Sequence, residues 1–286
     1  CMSNLFMRFP NGCNKALTLS YDDGLEQDIH LMAVLKPYGI KATFNLNSGL
    51  MPPERTVFPP TRFDRVMPPR QAKAAYSGTP HEVAVHGNQH PFLDQLPQAQ
   101  VTYDLLKDRL RLEALFDTTV NGMAYPYGKH TPAVTAAARA AGIVYSRTIE
   151  NTHWYGLPEN WLQWHPTCHH DDPDLMPLAE EFVRGRPNDA PWLFYLWGHT
   201  FEFDCNQNWS VIEDFCRTVG NQPHIFYATN KEIYTYIEAY RRLEFDTAMS
   251  RVTNPSSIPL WFDLDGVLHR VGGGETYRLR ERTEGV

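Results

Sequence analysis

The chain has 286 residues, 42% of them hydrophobic and 21% charged, with a formal net charge of -7 and a pI near 5.9. That length admits one large domain or two ordinary ones, and an acidic balance without a basic patch argues against a nucleic-acid or anionic-membrane partner. No apolar stretch approaches the roughly 18 residues needed to span a bilayer, and the N-terminal residues lack the apolar core of a secretory signal, so the expectation is a soluble, cytoplasmic protein. Five cysteines, Cys1, Cys13, Cys168, Cys205 and Cys216, are odd in number and show no CxxC spacing; free thiols are expected rather than a disulfide framework or a thiolate zinc site.

In chain order, Leu17 to Leu25 alternates apolar and small polar residues and stops at Asp22-Asp23-Gly24, a strand ending in a turn. Gln27 to Tyr38 reads as a helix closed by Gly39, and Lys41 to Leu46 as a second strand. The prolines between Met51 and Pro80 predict a long surface excursion without a central element. Glu82 to Val85 is a short strand ending at His86, and a periodic helix covers Gln98 to Phe116. Gly122 to Tyr125 is a strand stopped by Pro126, Thr131 to Ala141 a helix closed by Gly142, and Ile143 to Ser146 a strand. A weaker strand is expected at Leu162 to Trp164, then a helix at Asp174 to Val183. Leu193 to Trp197 is apolar throughout, as for a strand buried on both faces, and runs into Gly198 and His199. Helix, strand and helix follow at Trp209 to Val219, Ile225 to Ala228 and Lys231 to Arg242.

This alternation predicts an α/β fold with a parallel sheet of seven or eight units, closed into a barrel whose active site lies at the C-terminal strand ends. Asp22, Asp23, His86, Tyr127 and His199 all fall there. The division expected is a barrel over 13–243 and a small β-rich appendage over 244–286, with strands at Ile258 to Leu264, Gly266 to Val271 and Glu275 to Leu279. The stretch WFDLDGVL at Trp261 to Leu268 has the shape of a phosphatase nucleophile motif, but only 18 residues follow it; a hairpin with Asp-Gly at its tip is the better reading.

Two like charges at Asp22 and Asp23 repel, which favours a raised pKa for one or a cation that both face. His86 and His90, an i, i+4 pair in HGNQH, sit on one side of a helical or turn-like loop with a spacing that suits chelation. One carboxylate and two imidazoles leave open positions for water and substrate, as catalytic metal sites do.

SYDDG at Ser20 to Gly24, HGNQH at His86 to His90, YPYG at Tyr125 to Gly128 and WGH at Trp197 to His199 together resemble, in order, the motifs of polysaccharide deacetylases of the NodB-homology type (carbohydrate esterase family 4). The resemblance implies a distorted (β/α)7-8 barrel and removal of acetyl groups from a carbohydrate, N-acetyl ahead of O-acetyl. It implies that Asp23, His86 and His90 hold one divalent ion, zinc first, with cobalt, nickel, manganese or iron accepting the same ligands. It also implies a metal-bound water as nucleophile, Asp22 as general base, His199 as general acid, and the backbone N–H of Tyr127 as oxyanion donor. Many family members carry an arginine where this chain has Ala124, so the partner that orients Asp22 is absent or comes from elsewhere. Trp164 is taken as the hydrophobic wall beside His199; the nearby His165, His169 and His170 are read as loop or supporting residues. Two alternatives remain: an allantoinase-like hydrolase of another non-peptide C–N bond, and a catalytically silent carbohydrate-binding protein on the same fold.

Overall fold

The computed structural model describes residues 4–279, so Cys1 lies outside the described residues. Two strands open the chain, β1 (Leu5–Arg8) and β2 (Lys15–Asp22). Helix α1 (Asp28–Leu35) tightens into a 3-10 turn that ends at Gly39, whose φ of 66° is the left-handed closure its glycine permits. After β3 (Ala42–Leu46) the proline-rich excursion contains a helix, α2 (Pro69–Tyr76), which the sequence reading missed. Pro69 stands in the first turn, where its missing N–H costs nothing, and Ala72 and Tyr76 bury the inner face. Strand β4 (Glu82–Val85) and helix α3 (Gln98–Phe116) fall where the pattern placed them.

Next come β5 (Gly122–Ala124) and α4 (Pro132–Ala140), the latter capped by the Thr131 hydroxyl accepting from Val134 N–H. They are followed by β6 (Tyr145–Arg147), β7 (Cys168–His169), α5 (Leu175–Arg184), β8 (Trp192–Gly198), α6 (Phe201–Cys205), α7 (Ser210–Val219), β9 (Ile225–Tyr227) and α8 (Asn230–Arg241). The last strands are β10 (Glu244–Phe245), β11 (Arg251–Thr253), β12 (Leu260–Leu264), β13 (Val267–Val271) and β14 (Thr276–Arg278). The expected strand at Leu162 to Trp164 is instead a 3-10 turn, Trp161–Gln163, and the strand that fills this place is β7.

Eight parallel strands form one curled sheet along the path β6-β5-β4-β3-β2-β8-β7, with β9 also pairing β2. The gap between β6 and β7 is bridged by backbone: Trp164 N–H donates to Ser146 O at 3.0 Å, Thr148 N–H to Trp164 O at 3.0 Å, and Thr167 N–H to Tyr195 O at 2.7 Å. The expected α/β barrel is therefore present, and the helices pack their apolar faces on its outside. Beside it lie two three-stranded antiparallel sheets, β1-β12-β13 and β10-β11-β14. Strand β1 belongs to the first of these, with Leu5 opposite Leu264, a pairing no local pattern announces. The β12–β13 hairpin turns at Asp265 and Gly266, φ 53° and 85°, so Asp-Gly occupies a tight turn and not a phosphatase site.

Trp164 corrects another expectation. It is 1% exposed and packs among Tyr145, Trp161 and Tyr195, ring centroids 4.7 to 5.3 Å away, in a separate apolar cluster that also holds Phe262 and Leu264 of β12, and not beside His199. An apolar ring of that size goes to the position that buries most of it. Trp164→Ala is expected to lower unfolding free energy by about 3–5 kcal/mol, read as a drop in the urea midpoint; an unchanged midpoint would contradict a core role.

One buried carboxyl ties the excursion to the barrel top. Asp28 on α1 accepts from Tyr76 Oη of α2 at 2.5 Å and from Thr200 Oγ1, after β8, at 2.7 Å. Burial disfavours its charged form and pushes its pKa up to about 7. A folded-state pKa above the unfolded value adds stability that is complete below about pH 4 and is lost as pH rises through 7. The wild type should lose roughly 2–4 kcal/mol across that window from this group, and Asp28→Asn, uncharged throughout, should flatten the slope. Identical pH–stability curves would remove Asp28 from this role.

Candidate active site

The even-numbered residues of β2 face the barrel interior and the odd ones the helices, so Leu17, Leu19 and Tyr21 join the outer core while Thr18, Ser20 and Asp22 form an inward polar row bonded to Asn230, Asn45 and Arg147. Asp22 closes that row and is 2% exposed. Arg147 grips it with two bonds, Nη1 to Oδ1 at 2.8 Å and Nη2 to Oδ2 at 2.6 Å, and Asn45 Nδ2 adds a third to Oδ1 at 2.9 Å. Burial alone would raise the Asp22 pKa, but the guanidinium outweighs it and, with His86, holds the carboxyl well below the usual range. Arg147 itself lies 4.5 Å above the Trp197 ring.

Register explains where this arginine comes from. In the β5–β6 ladder Ala124 pairs with Arg147, so the cation absent at Ala124 arrives from the adjacent strand into the same space. The strand runs one residue past the Ser146 expected as its end, and that residue is Arg147. The only signal was a basic residue terminating a short buried strand.

Asp23 departs from its neighbour because the strand ends. Its φ of 81° turns the chain into the left-handed region, and its N–H is tied to Asn45 O at 2.9 Å. Its Oδ1 stands 3.5 Å from His86 Nε2 and 3.7 Å from His90 Nε2, and the two imidazole nitrogens are 3.1 Å apart. The His86–His90 segment is a loop, not a helix, held from below by α3. Asp108 accepts from Ser48 N–H at 2.8 Å and His86 N–H at 3.1 Å, and Asp104, one turn earlier, accepts from Asn88 N–H at 2.9 Å.

These residues fit a divalent ion. His86 Nδ1 lies 2.7 Å from the Ala124 carbonyl, to which it donates, leaving the Nε2 lone pair facing Asp23 and His90. Asp23 Oδ1 is buried without a hydrogen-bond partner, and one ligand atom from each of Asp23, His86 and His90 falls within 4.8 Å of the others. A buried carboxylate oxygen facing two imidazole nitrogens wants a cation.

His199 stands across the same cleft, its Nε2 3.8 Å from Asp22 Oδ2 and 3.9 Å from Asp23 Oδ2. Its Nδ1 is 2.5 Å from Glu202 Oε1, one turn along on α6. Burial favours the neutral ring, but Glu202, Asp22 and Asp23 together push its pKa up to about 9. Glu202, which the sequence reading did not single out, is held far below the usual carboxylate range despite burial, by His169, His170 and His199. The cleft of about 460 Å³ is walled by Trp197, Ile149 and Phe201, so Trp197 takes the place the sequence reading gave to Trp164. Tyr127 stands at its rim, φ 57°, stacked on Phe92 at 3.9 Å.

Of the residues singled out from sequence, Asp22, Asp23, His86, His90, Tyr127 and His199 thus line one cleft and Trp164 does not. The site is a cluster of carboxylates and imidazoles at the C-terminal strand ends of a curled parallel barrel. Residues 10–146, just under half of the chain, match the family model described as polysaccharide deacetylase. His199 and Glu202 lie beyond the matched residues. The fold is shared with the Xyl-CE4 domain of a multidomain xylanase from the hindgut metagenome of Trinervitermes trinervoides, 13% identical, TM-score 0.50, covering 79% of this chain and 92% of that one. A family 4 carbohydrate esterase from Streptomyces lividans in complex with acetate is 15% identical, TM-score 0.49, covering 75% and 92%. Streptococcus pyogenes deacetylase PplD in complex with acetate is 19% identical, TM-score 0.44, covering 51% of this chain and 61% of that one. No curated protein matches the chain. No helix among the described residues is long and apolar enough to cross a membrane.

Proposed function

We propose that the protein is a metal-dependent hydrolase that removes acetyl groups from a carbohydrate, N-acetyl ahead of O-acetyl. The observation that carries this reading is the meeting, in one cleft, of the Arg147-clamped Asp22, the Asp23, His86 and His90 ligand set, and His199. When bound, a divalent ion, zinc first for two imidazoles and a carboxylate, lowers the pKa of a coordinated water and polarises the acetyl carbonyl. Asp22, ionised and fixed by two guanidinium bonds, is the base that accepts the proton of the attacking water. His199 gives its Nε2 proton to the leaving amine, its Nδ1–H held by Glu202. The Tyr127 backbone N–H donates to the developing oxyanion, a contribution of a few kcal/mol when preorganised. Trp197, Ile149 and Phe201 shed water from the acetyl group.

The experiment is acetate release from N-acetylated and O-acetylated glycans, with allantoin as control, before and after chelation and metal reloading. Release should stop on chelation and return with the ion. Turnover of allantoin without acetate from any glycan would install the allantoinase-like reading, and saturable glycan binding without turnover the silent binding protein.

A further inference from the structure

Behind His199 lies a second set of one carboxylate and two imidazoles. Strand β7 delivers His169 beside Trp197 of β8, and His170 follows it. His169 Nε2 lies 3.2 Å and His170 Nε2 2.8 Å from the same oxygen, Glu202 Oε2. Ligand atoms of His169, His170 and Glu202 all fall within 4.8 Å of one another, the same donor types in the same compass as Asp23, His86 and His90.

The far side of each ring is already engaged. His169 Nδ1 is 2.6 Å from Asp171 Oδ1 and 3.0 Å from the Asp171 backbone nitrogen, whose N–H is directed at it, and His170 Nδ1 is 3.1 Å from Tyr21 Oη. Carboxylates accept only, and a neutral imidazole has one N–H. If His169 donates to Asp171, its Nε2 lone pair points at another acceptor, and something positive has to stand between them. An Nδ1 anchored by a carboxylate with Nε2 turned inward is the arrangement that orients metal-binding histidines. His170 and His169 are buried, 3% and 9% exposed, while Glu202 lines the catalytic cleft, so an ion has a way in.

We propose that His169 Nε2, His170 Nε2 and Glu202 Oε2 form a second divalent-cation site, separate from Asp23, His86 and His90 and joined to the cleft through the bond from His199 to Glu202 Oε1. Two imidazole nitrogens with a single carboxylate suit zinc and its transition-metal neighbours, and not magnesium or calcium, which take oxygen ligands. The site extends beyond the deacetylase reading and holds whatever the substrate is.

The test counts metal. Protein stripped by chelator is reloaded with Zn²⁺, freed of excess by gel filtration, and analysed for zinc per chain, with circular dichroism as the check on folding. Two ions are expected for the wild type, one for Glu202→Gln, and one for His86→Ala/His90→Ala. A wild type with one ion, together with none in the His86→Ala/His90→Ala variant, overturns the proposal and leaves protons as the positive charge between the rings and Glu202. Should the first site fail instead, Glu202→Gln holds none and the double variant keeps one. Titration with Co²⁺ gives an independent count: visible absorption rising to two equivalents in the wild type supports the second site, and an end point at one in both the wild type and Glu202→Gln overturns it.

Discussion

With the roles proposed for this cleft, Asp22→Asn should retain a divalent ion and lose acetate release by about 10²–10⁴-fold, the range a positioned general base contributes. The amide keeps the shape of the carboxyl and one acceptor for Arg147, so the cleft stays assembled while the proton acceptor is gone. The ligand set is untouched because Asp23 is aimed elsewhere by its φ of 81°. The measurement is zinc content alongside kcat on an acetylated glycan. A variant with full metal and near-normal kcat removes Asp22 from the base role, and one that loses the metal means that Asp22 and Asp23 are not divided as their geometry indicates.

Arg147→Met is expected to be the most destabilising single change in the site. Asp22 and Arg147 are 2% and 1% exposed, and removing one partner of a buried ion pair strands the other charge at a cost of about 3–5 kcal/mol. Asp22 would then relieve the penalty by taking up a proton, so activity at neutral pH falls as well. Arg147→Lys should fall between, since an ammonium keeps the charge but not the two parallel bonds at 2.8 and 2.6 Å. Combining Arg147→Met with Asp22→Asn should recover part of the lost stability, because neither charge is left alone. Denaturation of the four proteins closes this cycle; additive losses would mean that the two side chains do not act as a pair.

Much of the barrel and most of the site were legible because their signals are local. A strand alternating with period two, as in β2, fixes which residues face inward. Thr131 and Gly39 mark a helix start and a helix end by hydrogen-bonding and backbone geometry confined to one turn. Helix α2 was hidden by its own first-turn proline, which reads as a breaker but serves as a start. Trp164 was misplaced for another reason: a large aromatic near a motif suits a cleft wall or a core, and only its surroundings tell which.

Determined by the sequence alone were the alternation that makes a parallel barrel and the carboxylates and imidazoles at its strand ends, with Asp22 and Asp23 adjacent where the first of those strands stops. Tertiary structure decided the rest: Arg147 entering beside Ala124, Trp197 standing where Trp164 was expected, Glu202 gathering His169, His170 and His199, and β1 pairing with β12. These contacts join residues far apart in the chain, except for the turn of helix between His199 and Glu202. Their partners are selected by strand register and by what the core will bury, and neither is written in the spacing of neighbouring residues.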